Sequence, residues 1–241
     1  MRPKRILRHN VTRCMNLDLC NFCEGFFHVE ESVEMKLPDT CLCNKMCLRK
    51  SVTCIARITQ ETTGAEMFVS AYKNRKEFGN YRTHAEKIMI CDLECLNAIR
   101  SSHDARIMTL YLTYQPCHFS GGHTRPSAIS CTEELVRYKE SVLEKHNVKL
   151  KIKIAYIYRA FWDLRNSERK YWQMIQNARI GIQRLHYHNI SLHAFDETDW
   201  ALILTFCSNE TRTKIGNIES FKQARREHCD AFNHKFLQDF N

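Results

Sequence analysis

The chain has little glycine and less proline, 7 and 4 among 241 residues. Collagen-like and low-complexity chains contain far more of both, so those classes are excluded. No apolar run approaches the roughly 20 residues that a membrane-spanning helix needs, so no membrane segment is expected. The basic start, MRPKRILRHN, leads into no apolar core of the kind a secretory leader carries. No internal repeat or low-complexity stretch occurs. Acidic residues are the minority: 27 Asp and Glu stand against 36 Lys and Arg, a formal net charge of +9. A surplus of that size favours polyanionic partners such as nucleic acid, against the plainer reading of a solvated basic surface.

What is abundant is cysteine, with 13. The odd count and the missing leader argue for reduced thiols and predict a cytoplasmic or nuclear setting. Cys54, Cys91, Cys95 and Cys207 lie in apolar contexts and are expected to be buried as small hydrophobes. Residues 1–50 form a basic, Cys-rich extension containing Cys14, Cys20, Cys23, Cys41, Cys43 and Cys47. Cys20 and Cys23 have the C-x-x-C spacing of a second metal site, but a lone pair of this kind reads first as buried thiols. A short helix fits within Asn16–Val29.

Residues 51–241 read as one domain. Ser51–Gln60 and Glu66–Tyr72 have strand character and flank the turn Glu61–Gly64, which makes them an antiparallel pair. A polar loop, Lys73–Tyr81, leads to a helix over His84–Ser101. Then come a strand at Arg106–Tyr114, a glycine-containing loop, and a helix over Pro126–Lys145. In that helix Cys131, Leu135, Tyr138 and Val142 share one face. In the strand Val148–Tyr158, Leu150, Ile152 and Ile154 alternate with three lysines. A helix at Glu168–Ala178, a fifth strand at Gly181–Tyr187, and helices at Asp199–Cys207 and Ile218–Leu237 complete the order. Strands alternating with helices predict a three-layer α/β/α fold, a five-stranded mixed sheet flanked by helices, with parallel pairing across the helical crossovers.

The chemistry-bearing residues are His84-Ala85-Glu86, then Pro116-Cys117, then Cys131. A histidine and two cysteines can hold a metal with one position left open, and Glu86 can move protons beside it. At a helix start, His84 and Glu86 can converge on one point. Cys117 follows a strand end and Cys131 falls early on the next helix. A competing reading makes Thr83-x-x-Glu86 a helix-capping box. The ordered recurrence of strand, Pro-Cys and helical Cys favours the metal site. Residues 118–130 separate the cysteines, so His118 and His123 compete for the third place; Cys131 is preferred and His123 is second.

With these residues in place, the chain resembles the AID/APOBEC family of polynucleotide cytidine deaminases, whose signature is H-x-E…P-C-x-x-C. The likeness covers roughly residues 50–205. It is carried also by Cys131-Thr132-Glu133-Glu134-Leu135-Val136, by Ala155-Tyr156-Ile157-Tyr158 and by the element order after it. The resemblance implies a cytidine deaminase-like fold and zinc-dependent conversion of cytosine to uracil in single-stranded DNA or RNA, with DNA favoured. It implies zinc on His84, Cys117 and Cys131, and Glu86 as acid and base. Tyr114 would line the pocket floor and Tyr158 would pack on the target base. In the loop Arg159–Arg165, Phe161 and Trp162 would stack on a neighbouring base while Arg159 and Arg165 hold phosphates. The departures are Tyr114 where the family commonly has Trp, Gln115 before the proline, and the long insert. They point to a divergent branch. Two other functions compete: deamination of free cytidine or nucleotides, and a non-catalytic, zinc-stabilised nucleic-acid-binding protein. The intact Glu86 argues against the second.

Overall fold

A computed structural model describes residues 26, 52–76, 82–119, 129–158, 160, 169–207, 209, 212–213 and 230–240. Five strands form the main sheet: β1 (Thr53–Gln60), β2 (Glu66–Lys73), β5 (Arg106–Tyr114), β6 (Val148–Tyr156) and β7 (Ser191–Ala194). Their order is β2-β1-β5-β6-β7. β1 pairs antiparallel with β2 and β5, while β5–β6 and β6–β7 are parallel. The expected mixed sheet is therefore present. Two-residue strands β3 (Arg75–Lys76), within the expected polar loop, and β4 (Arg82–Thr83), just after it, make a small separate ladder.

Side chains alternate between the two faces of the sheet. Cys54, Ala56 and Ile58 of β1, Met108, Leu110 and Leu112 of β5, and Leu150, Ile152 and Ile154 of β6 enter one core. The intervening Ile55, Tyr111 and Ala155 enter a second. The first core is closed by α1 (Ala85–Ile90), α2 (Leu93–Arg100), α3 (Cys131–Tyr138) and α4 (Trp172–Tyr187). The second is closed by Trp200 and Ile203 of α5 (Glu197–Thr205). A further helix, α6, spans 230–238 and sends Leu237 into the first core. These are the three layers. Phe26, within the segment expected to be an extension, is fully buried in the second core, stacked on Phe195 at 5.7 Å.

Several expected elements are corrected. Gly181–Tyr187 is not a strand; it is the second half of α4. Ile175, Ala178, Ile182 and Leu185 are spaced three, four and three apart, and all are buried, so one helical stripe runs through Gly181. The fifth strand is β7 instead. The helix expected over His84–Ser101 is two, because Asp92 caps a new start by accepting from the Glu94 amide at 3.0 Å. Its carboxylate also accepts from the Tyr72 hydroxyl at 2.8 Å. Cys91, at that break, is exposed rather than buried. α3 begins at Cys131, after a Ser130 cap; Pro126 lies outside the described residues. Beyond Tyr138 the helix loosens into a π turn (Lys139–Leu143) and tightens into a 3₁₀ turn (Glu144–His146). Of the helix expected over Ile218–Leu237, only the last turns fall within the described residues.

The six described cysteines are free thiols. No helix among the described residues is long and apolar enough to cross a membrane.

Candidate metal centre

The centre forms where β5 ends beside the starts of α1 and α3. His84 is the extended N-cap residue of α1, with φ −76° and ψ 153°, and its ring makes no cap bond. Thr83 belongs to β4, so the capping-box alternative is not what the chain adopts. The cap comes from elsewhere: Asn74 Oδ1 accepts from the Ala85 amide at 2.8 Å. Asn74 is itself tied by its amide to the Val52 carbonyl at 3.0 Å. The imidazole is thus left turned toward the cysteines.

His84 Nδ1 lies 3.1 Å from Cys131 Sγ and 3.3 Å from Cys117 Sγ. The three ligand atoms all fall within 4.8 Å of one another, and no other such group of three or more occurs among the described residues. A tetrahedral metal with nitrogen at about 2.0 Å and sulfur at about 2.3 Å would hold an N and an S about 3.5 Å apart. The donor distances are close to that. Two thiols and an imidazole suit a borderline-soft divalent metal and suit magnesium or calcium poorly. Cys131 is fully buried, whereas His84 and Cys117 are half-buried.

The thiols are electrostatically divided. A hydrogen bond from Cys131 holds the Cys117 thiol well below its ordinary range; burial opposes this and His84 reinforces it. Cys131, as the donor and fully enclosed, is pushed well up. Burial works against charge on His84, but Cys117 outweighs it and raises the imidazole to about 9. At Cys117 alone the arrangement favours the thiolate, the form in which a thiol ligates a metal.

Glu86 stands beside these donors with only 2 % of its surface exposed. One of its carboxylate oxygens, Oε2, has no hydrogen-bond partner among the described residues. Burial pushes the carboxyl up to about 7, with His84 acting in the opposite sense. A buried, unpartnered acceptor costs stability unless something else uses it, and a titrating carboxyl in such a place marks functional sites.

Tyr114 and Tyr158 come together at the carboxyl ends of β5 and β6. Their rings meet edge-on at 5.8 Å, and Tyr114 also contacts Tyr156 at 6.0 Å. Gln115 fixes this junction: its Nε2 donates to the Tyr158 carbonyl at 2.6 Å and its Oε1 accepts from the Tyr158 amide at 2.5 Å. Read in the sequence, Gln115 is only a departure from a motif; here it extends the β5–β6 pairing by one side chain. Arg159, Phe161, Trp162, Arg165 and His123 lie outside the described residues, as do Cys20 and Cys23. His118 is turned away from the cluster to Ser130 Oγ, 3.2 Å off. Asn74, Lys87 and Thr132 support the centre without any signal in the sequence, because each works through backbone groups that come close only in the fold. Compared with known protein families and with curated proteins, the chain matches none.

Proposed function

We propose that this chain is a zinc-dependent cytidine deaminase of the AID/APOBEC kind, converting cytosine to uracil in single-stranded nucleic acid, DNA in preference to RNA. The observation that carries the reading is an enclosed carboxyl, Glu86, with one oxygen unpartnered among the described residues, beside a donor set of three, His84, Cys117 and Cys131, with no fourth donor grouped with them among those residues. A purely structural site needs no such carboxyl. Zinc bound there supplies a water acidified to a pKa of about 7. Water plus cytosine gives uracil plus ammonia, so protons must reach ring N3 and the departing amine. Glu86, enclosed beside the donors, is the group assigned to move them.

The chain's other residues take supporting roles. Tyr158, held by Gln115, offers a ring to the target base, and Tyr114 lies behind it. Arg159, Phe161, Trp162 and Arg165 are assigned to phosphates and the neighbouring base. The +9 charge favours a polyanion over a free nucleoside.

The test offers the protein single-stranded DNA and RNA carrying each base before C, together with free cytidine, and reads uracil. Uracil in the oligonucleotides, more in DNA, is expected. Glu86→Ala should keep zinc and oligonucleotide binding while uracil formation falls at least about 10²-fold, the usual contribution of a positioned acid–base group. A Glu86→Ala variant that deaminated normally would refute the mechanism. Turnover of free cytidine alone would make this a nucleoside deaminase, and zinc with binding but no uracil would make it a binding protein.

A further inference from the structure

In the short-gap form of this motif, two residues join the cysteines and the chain itself keeps the second sulfur near the first. Here residues 118–130 intervene, and a longer loop holds its ends together less well. Cys131 is nonetheless seated 3.1 Å from His84. The residues on either side of it are fastened to the elements that carry the other two donors. Toward Cys117, the Thr132 amide donates to the Cys117 carbonyl at 3.1 Å. The buried Thr132 hydroxyl lies 3.3 Å from the Pro116 carbonyl and 3.2 Å from that of Cys117. Ser130, the cap of α3, pairs with His118. Toward His84, Lys87 on α1 donates to the Ile129 carbonyl at 2.6 Å and to Glu134 at 2.8 Å.

We infer that Lys87 and Thr132 form a clasp that seats Cys131 against Cys117 and His84, replacing the short covalent link as positioning residues for the metal. The inference rests on the metal-binding reading above. The clasp brackets Cys131 from residues 129 to 134. It reaches both partner elements, β5's end through Thr132 and α1 through Lys87. The contacts that define it all lie among the described residues. Neither Lys87 nor Thr132 ligates; each fixes where a ligand stands, the role that outer hydrogen-bond partners play around metal sites.

The test measures zinc affinity by chelator competition on the full chain, together with the melting temperature of the chelator-stripped protein. Lys87→Met and Thr132→Val keep shape but remove the side-chain donors, leaving the Thr132 amide in place; Lys87→Arg and Thr132→Ser retain them. The clasp predicts a 10- to 100-fold loss of zinc affinity in each of the first pair, and recovery toward wild type in the second. The stripped proteins should melt alike, which separates positioning from a general loss of fold. A protease site placed between Gly121 and Gly122, once cut, should leave zinc bound. Equal affinity in all four variants, or zinc lost on cutting as fully as in Thr132→Val, would overturn the clasp. A wild-type chain that binds no zinc would instead overturn the metal reading beneath it.

Discussion

Cys131 occupies the first helical position of α3, directly after a Ser130 cap that accepts from the Glu133 amide. That placement, rather than its distance along the chain from Cys117, makes it the third donor. Cys131→Ala should therefore abolish stoichiometric zinc binding while His123→Ala preserves it, as read by metal content after dialysis. The opposite pattern would reassign the ligand to the insert. At this scale the residue types and their order were legible in the sequence. The state of Glu86 was not. The same residue is a helix cap if Thr83 begins the helix, and an enclosed carboxyl if Thr83 sits in a strand. A two-residue ladder, β3 with β4, decides between them. Lys87 and Thr132 were silent for the same reason, since their partners are carbonyls brought near by other elements.

α4 shows how an element can be misread when its local and tertiary requirements conflict. Glycine within a helix costs about 1 kcal/mol relative to alanine, so Gly181 looks like a terminator. In the fold, a Cβ there would sit 2.8 Å from His118 Cβ and 3.3 Å from Thr132 Oγ1. Gly181 lets α4 pass close to the residues that carry Cys117 and Cys131. Gly181→Ala should thus destabilise the protein by about 1–3 kcal/mol, despite alanine's better helix propensity. A higher denaturation midpoint would show that the turn at His118 yields without cost. The sequence reading starts α5 at Asp199, whereas the structure starts it at Glu197, because Asp196 and Asp199 form a reciprocal capping box. Lys153 of β6 binds both carboxylates, Asp196 at 3.1 Å and Asp199 at 2.6 Å. Burial opposes ionisation of Asp196, but Thr198, the Asp199 amide and Lys153 outweigh it and hold its carboxyl below the usual range. Its stabilising contribution is therefore complete at neutral pH and is lost as pH falls below about 4, the ordinary aspartate value. Asp199 has the opposite sign, since burial raises it. Asp196→Ala should cost about 1 kcal/mol at pH 7. Asp196→Asn keeps a cap and should flatten the acid limb of stability, checked by urea midpoints at pH 7 and pH 3.

At the scale of the whole molecule, Phe26 reaches the second core from a point in the chain well before β1. Its ring fills the second core against Phe195, and its carbonyl accepts from the Tyr156 hydroxyl at 3.1 Å. Phe26→Ala should cost about 3–5 kcal/mol, as for other fully buried aromatics, visible as a lowered thermal midpoint. A midpoint unchanged within error would mean that Phe26 contributes nothing to this core. The sequence by itself determined the alternation of strands and helices, the three-layer class and the kinds of side chain at the centre. Hydrophobic periodicity and ligand chemistry are local properties, readable along the chain. Only the tertiary structure decided that Gly181 continues a helix, that Phe26 packs into the second core, and that residues 47 positions apart, His84 and Cys131, meet at 3.1 Å. Those outcomes depend on close approach between elements distant in the chain, which no local pattern records.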